Sequence, residues 1–218
     1  KVFVCDALGS RVLRYSSVAA MQSNALPEAY LGQPDEFSTA PRLSKTGMQR
    51  PRGITVDASG RLWVADTGHH RILRFNNASS LATGAAASGL LGQPNYSTMT
   101  SGTSENRMNG PGDLEVDAAG RLWVVDTGNN RVLRWDNAVS LAPDAGANGV
   151  LGQATFAGSG SNTSAASLYG PHFLALEHSD SSLVRLWVSD TTNSRVLAFS
   201  FPASKASGAA ADKVLGHP

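Results

Sequence analysis

Hydrophobic positions in this chain fall in short runs closed by Gly, Asn, Asp or Ser, a pattern of strands and turns rather than of helices. Over residues 53–57, Ile54 and Val56 share one face while Gly53 and Thr55 share the other, the alternation of a half-covered strand. Ala58-Ser59-Gly60 predicts a tight turn. Leu62-Trp63-Val64-Ala65 is then nearly continuous in apolar character, as expected of a strand covered on both faces. Residues 67–70 turn the chain again, with Gly68 expected at a positive φ, and Ile72 to Phe75 form a third strand. Leu90-Leu91-Gly92 is a short outer fourth.

This unit repeats. The stretch from Pro51 to Phe75 returns from Pro111 to Trp135, and again from Pro171 to Phe199 with extra residues around Ser179 to Ser182. Residues 2–15 carry the second half of the same unit, Asp6 and Arg11 answering to Asp66 and Arg71. A second marker, Leu-Gly-Gln-Pro at 31–34 and 91–94, continues as Leu151-Gly152-Gln153-Ala154 and Leu215-Gly216-His217-Pro218. A four-stranded antiparallel sheet of this kind cannot bury both faces alone, so copies must pack face to face, and a ring of them is a propeller. The expectation is one all-β domain over 1–218, with blades near 1–34, 51–94, 111–154 and 171–218, the first lacking its inner strand.

Gly110-Pro111 followed by Leu114, Val116-Asp117-Ala118 with Gly120, and Leu122-Trp123-Val124-Val125-Asp126-Thr127-Gly128-Asn129-Asn130-Arg131-Val132-Leu133-Arg134 resemble the NHL repeat. The resemblance runs through essentially the whole chain. It departs at the long segments 76–88 and 95–110, and at Ala7-Leu8-Gly9-Ser10 in the first unit. It implies a β-propeller, usually of six blades, which at this repeat length needs roughly 360 residues. The chain is therefore expected to be part of a six-bladed ring, or to complete its ring with a second copy; a compact four-bladed ring is the alternative.

Composition narrows the function classes. Apolar residues make up 41% and charged residues 16% of the chain, with a formal net charge of +1, so no basic field marks a nucleic-acid surface. The single cysteine, Cys5, excludes an internal disulfide and reads as a small buried apolar residue. No run is long and apolar enough for a membrane span, and no basic-then-apolar leader opens the chain. Loops rich in Ala, Gly, Ser, Thr and Asn lean toward an extracytoplasmic setting.

Repetition sorts the polar residues. Asp6, Asp66, Asp126 and Asp190, with Arg11, Arg71, Arg131 and Arg195, recur in every unit and read as pairs pinning the turn between second and third strands. Trp63, Trp123 and Trp187 read as packing between blades, and Asp57 and Asp117 as acceptors within a turn. What breaks the repeat is the candidate site. At the entrance to the inner strand Arg52, Gly112 and His172 are equivalent, as are Gly53, Asp113 and Phe173, and then Thr55, Glu115 and Ala175. His69 and His70 stand where the next unit has Asn129 and Asn130. The rim candidates are thus Arg52, Asp113, Glu115, His172, His69 and His70, with segments 95–110 and 155–170 as its wall.

Residues 171–176 also resemble the segment that supplies one zinc-binding histidine in peptidyl-α-hydroxyglycine amidating lyases, which use three such histidines. Here Arg52 and Gly112 occupy the equivalent positions, so His172 stands without the other two. No nucleophile elbow, zinc-protease helix or phosphate loop is present. The reading is a non-catalytic propeller presenting its rim to a protein, peptide or glycan, with no cofactor and no nucleic-acid partner. The alternative is a lyase or lactonase type enzyme holding zinc or calcium in the channel.

Overall fold

The computed structural model describes residues 1–22, 24–179 and 182–217. The tip of the longer hairpin near Ser179 to Ser182 falls partly outside these, at 180–181, as does Pro218 of the last Leu-Gly-His-Pro marker. Four antiparallel sheets follow one another along the chain. The first holds β1 (Val2–Asp6), β2 (Arg11–Tyr15) and β3 (Ala29–Leu31). The second is β4 (Ile54–Val56), β5 (Leu62–Asp66), β6 (Arg71–Phe75) and β7 (Gly89–Leu91). The third is β8 (Pro111–Val116), β9 (Leu122–Asp126), β10 (Arg131–Trp135) and β11 (Gly149–Leu151), and the fourth β12 (Pro171–Ser179), β13 (Ser182–Asp190), β14 (Arg195–Ser200) and β15 (Lys213–Gly216). Each sheet is a simple meander, so these are the blades of a β-propeller, the first with three strands and the others with four.

Three buried clusters weld successive blades. Val12 and Leu31 meet Leu62, Val64, Leu73 and Phe75; Trp63, Ala65, Ile72 and Leu91 meet Leu122, Val124, Leu133 and Trp135; Trp123, Val125, Val132 and Leu151 meet Leu186, Val188, Leu197 and Phe199. One face of each β5-type strand thus looks back and the other forward, which is why its sequence is apolar throughout. The outward face of the fourth blade is open. Trp187 and Val196 stay half-buried there and Leu215 is 53% exposed, whereas Trp63 and Trp123 are 1% exposed under the blade that follows. Among the described residues no buried cluster joins the fourth blade to the first, so the four blades form an arc and not a compact closed ring.

The recurring Asp and Arg face each other in the same register in all four blades. Arg71 Nε lies 2.7 Å from Asp66 Oδ2, Arg131 Nε 2.7 Å from Asp126 Oδ2, Arg195 Nε 2.7 Å from Asp190 Oδ2 and Arg11 Nε 2.8 Å from Asp6 Oδ2. Their reach exceeds the turn. Asp66, Asp126 and Asp190 each accept a backbone N–H from the incoming inter-blade segment, at Gln49, Asn109 and Tyr169. Arg131 donates onward to the carbonyls of Thr103, Ser104, Arg107 and Phe156, and Arg71 and Arg195 do the same in their own blades. Segments 95–110 and 155–170 are therefore anchored from within.

The turn itself differs from expectation at Gly68. It is a 3-10 turn over Thr67–His69, and the left-handed residue is the one after it, His70 at φ 55°, as it is Asn130 and Ser194 in the later blades. Gly68 is absent from the residues with positive φ; a Cβ there would instead lie 2.5 Å from the Gln49 side chain. Close approach, not dihedral freedom, requires glycine at this position.

Two further repeated devices escaped the sequence reading. Arg14, Arg74 and Arg134 reach forward to carbonyls at the 3-10 turn of the next blade, at Ala78 and Leu81, Val139 and Ala203. The same Arg74 and Arg134 lie over Trp63 and Trp123, 5.6 and 5.8 Å from the rings. Gln33, Gln93 and Gln153 of the second marker donate both to the turn of their own blade and to the long segment leaving it. No helix among the described residues is long and apolar enough to cross a membrane.

Arg131 and Asp126 are both fully buried, so Arg131→Met strands a carboxylate and four loop carbonyls at once. Unfolding in denaturant should show a loss of about 3–5 kcal/mol. A change of about 0.5 kcal/mol, typical of a surface substitution, would remove this pair from its place as a structural hub.

Candidate functional site

The inner strands β4, β8 and β12 stand side by side along the channel, and register shifts between Pro111 and Asp113 and between Pro171 and Leu174 re-aim the residues at their entrances. A cleft of about 570 Å³ opens there, lined by residues of all four blades, among them Cys5, Arg52, Ile54, Asp113, His172 and Phe173. Its size lies within the range of small-molecule sites. Arg52, Asp113 and His172 are thus brought together as expected from their positions in the repeat. Glu115, two residues further along β8, is not among the residues lining the cleft and accepts a hydrogen bond from Thr55 Oγ1 at 3.0 Å.

Gly53 makes room for Asp113. A Cβ at Gly53 would sit 2.9 Å from Asp113 Oδ1 and 2.6 Å from its Cα, so the carboxylate occupies space that any larger residue would take. Asp113 Oδ2 accepts the backbone N–H of Leu174 at 3.1 Å, bridging the third and fourth blades. Burial pushes its carboxyl above the usual aspartate range, and only backbone N–H groups oppose the rise. Glu115 is raised chiefly by burial too, with Thr55 opposing, Asp113 adding and His178 opposing. Among the described residues neither carboxylate forms an ion pair, whereas the recurring Asp57, Asp117 and Glu177 each pair with an arginine.

His69 and His70 lie elsewhere. His69 is 2% exposed, and its Nδ1 sits 2.9 Å from Asp66 Oδ2, where Asn129 and Asn193 place their amide groups in later blades. His70 Nδ1 accepts the N–H of Gly110 at 2.9 Å, the role of Asn130 toward Gly170. Burial first, and then His69, holds its imidazole below the ordinary range, the neutral form this acceptor role needs. These histidines break the repeat in residue type but keep its geometry, each making a contact that an asparagine makes in a later blade, and neither is among the residues lining the cleft.

Cys5 and Phe173 were not singled out by sequence as site residues. Cys5 lines the cleft because β1 is the innermost strand of its sheet, so the position that Ala65 and Val125 bury in the next two blades faces the channel here. Burial, then Asp113 and Asp6, push its thiol up to about 12. Among the described residues no group of three or more His, Cys, Asp or Glu converges in a way that would hold a metal.

Successive four-stranded meanders around a channel, with a non-repeating cleft at the inner-strand entrances, define a β-propeller of repeated blades. The NHL repeat model matches residues 48–75 and 108–135, so the second and third blades of this β-propeller carry NHL repeats. No curated protein matches it. Among solved structures, a functionally unknown protein from Desulfotomaculum acetoxidans DSM 771 is 14% identical with a TM-score of 0.50, the match covering 99% of this chain and 57% of that one. A streptogramin B lyase is 14% identical at a TM-score of 0.49, over 93% of this chain and 48% of the other. A chain of a nidogen–laminin complex is 18% identical at 0.49, over 99% and 62%. The chain spans less than two thirds of each of these, and the likeness to the Desulfotomaculum protein, at 14% identity, is one of fold.

Asp57 and Asp113 should titrate in opposite senses. Burial raises Asp57, but donors on Trp63, Arg61 and Ser59 outweigh it and hold the carboxyl below the usual range. Its contribution is present above the ordinary aspartate value of about 3.9 and is lost as pH falls through its lower native value. Asp113, raised by burial, costs stability while charged, and the cost is relieved as pH falls through its raised native value. Thermal unfolding at neutral pH should show Asp57→Asn destabilised by about 1–3 kcal/mol and Asp113→Asn unchanged or stabilised. The reverse order would refute the assignment of structural and non-structural carboxylates.

The Cys5 thiol should alkylate slowly. At pH 8, iodoacetamide should modify native protein on the order of a hundredfold more slowly than denaturant-unfolded protein, since an ordinary cysteine titrates near 8.5. Equal rates would show an open, ionised thiol.

Proposed function

We propose that the chain is a non-catalytic binding scaffold whose ligand seats in the cleft at the inner-strand entrances. The observation that carries this reading is the distribution of polar residues. Asp66, Arg71, Asp57, Arg61, Gln93 and their counterparts recur and spend their hydrogen bonds on turns and loops. Arg52, Asp113 and His172 do not recur, and they meet at one cleft. A repeated scaffold holding a singular set of side chains is the arrangement in which rigid blades present recognition groups.

Burial pushes the Cys5 thiol at the cleft up, which keeps it from serving as a nucleophile. Peptides, proteins and glycans remain the classes of ligand this rim suits.

A thermal-shift screen of amino acids, amines, short peptides and oligosaccharides tests the proposal. Stabilising compounds are expected, and their effect should vanish in a variant carrying Arg52→Ala, Asp113→Asn and His172→Ala with an unchanged far-UV spectrum. Hits that survive those substitutions would place binding elsewhere. One equivalent of zinc or calcium in purified protein, lost in His172→Ala, would move the chain to the metal-dependent enzyme class.

A further inference from the structure

Arg52 and Asp113 line the same cleft with opposite charge, yet among the described residues they do not pair with each other or with any other charged side chain. In the repeated hairpins, by contrast, carboxylate and arginine pair closely, as in Arg61 with Asp57 at 2.7 Å and Arg121 with Asp117 at 2.6 Å. The cleft they share is mainly apolar, with Ile54 and Cys5 in its lining, and Phe173, also in the lining, stands 67% exposed. Gly53 is what lets the carboxylate reach this lining, since a Cβ would fill its place.

We propose that the cleft recognises a small zwitterion, an ammonium and a carboxylate separated by an apolar stem, with the ammonium on Asp113 and the carboxylate on Arg52. The inference rests on the binding reading above and names the chemistry of its ligand. An ammonium supplies the cation that the desolvated Asp113 lacks, through a charge-assisted hydrogen bond. A guanidinium matches a carboxylate in planar, two-point fashion. The stem covers Ile54 and the Phe173 ring, and excludes water from both contacts. A ligand with only one charge leaves the other cleft charge without a partner, which gives selectivity against plain amines and plain acids.

Calorimetric titration of the full chain tests this with three dipeptides of leucine: one with free termini, one N-acetylated and one C-amidated. An ω-amino acid of similar span serves as a fourth probe. The free dipeptide should bind, and each cap should weaken binding by roughly tenfold or more, the loss of one charge-assisted contact. In Asp113→Asn, which keeps an acceptor for the Leu174 N–H, acetylation should no longer matter while amidation still does. In Arg52→Gln the pattern should invert. Binding of the ω-amino acid as well assigns the site to free zwitterions, and binding of the dipeptide alone assigns it to peptides whose backbone is also read. Caps without effect, or no heat with any probe, overturn the proposal. The binding reading survives that result if the thermal-shift screen still yields cleft-dependent ligands of another chemistry, and falls with it if no ligand depends on the cleft.

Discussion

The buried Asp–Arg pair at the turn between second and third strands is the constraint on which the rest of each blade depends. Its carboxylate accepts from the arginine, from a turn side chain and from a backbone N–H of the incoming segment, while the guanidinium spends its remaining donors on carbonyls of the long loops. A bare buried ion pair gains little, because desolvation offsets the attraction. Here the desolvated groups are also hydrogen-bond sources for loops that have no regular structure of their own, so long insertions stay ordered without strands.

A second layer of repeated contacts turns blades into a propeller. Trp63, Trp123 and Trp187 each donate to a carboxylate of their own hairpin, at Asp57, Asp117 and Glu177, and the first two lie under an arginine that grips the next blade. The fourth blade changes this device. Its longer hairpin uses Glu177 in place of aspartate, and Ala198 stands where Arg74 and Arg134 stand in the earlier blades, so its outward face carries no forward clamp of that kind. Trp187 is covered instead by Arg185 of its own hairpin, 5.4 Å from the ring.

Because these networks absorb the recurring polar groups, the residues left over acquire meaning. Asp113 and Glu115 are carboxylates with backbone and hydroxyl donors but no arginine, placed on inner strands where burial disfavours their charge. Such groups weaken the fold they sit in, which is the ground on which the proposed ligand is placed at Asp113. His69 and His70 show the limit of the same logic: an imidazole nitrogen does the work of an asparagine amide in the same place, so a change of residue type is not always a change of role.

The period, the strands, the three-stranded first blade and the Asp–Arg pairs were all legible in the sequence, because strand alternation and turn chemistry are local and repetition multiplies the signal. The meeting of Arg52, Asp113 and His172 could be anticipated too, since equivalent and adjacent positions at the inner-strand entrances of a repeat must lie close together. Cys5, the anchoring of segments 95–110 and 155–170, the close approach that requires Gly68, and the grip of Arg74 and Arg134 on neighbouring blades were decided only by tertiary structure. Each depends on distances between segments far apart in the chain, and those are set by how the sheets stack, a quantity that no local pattern of residues encodes.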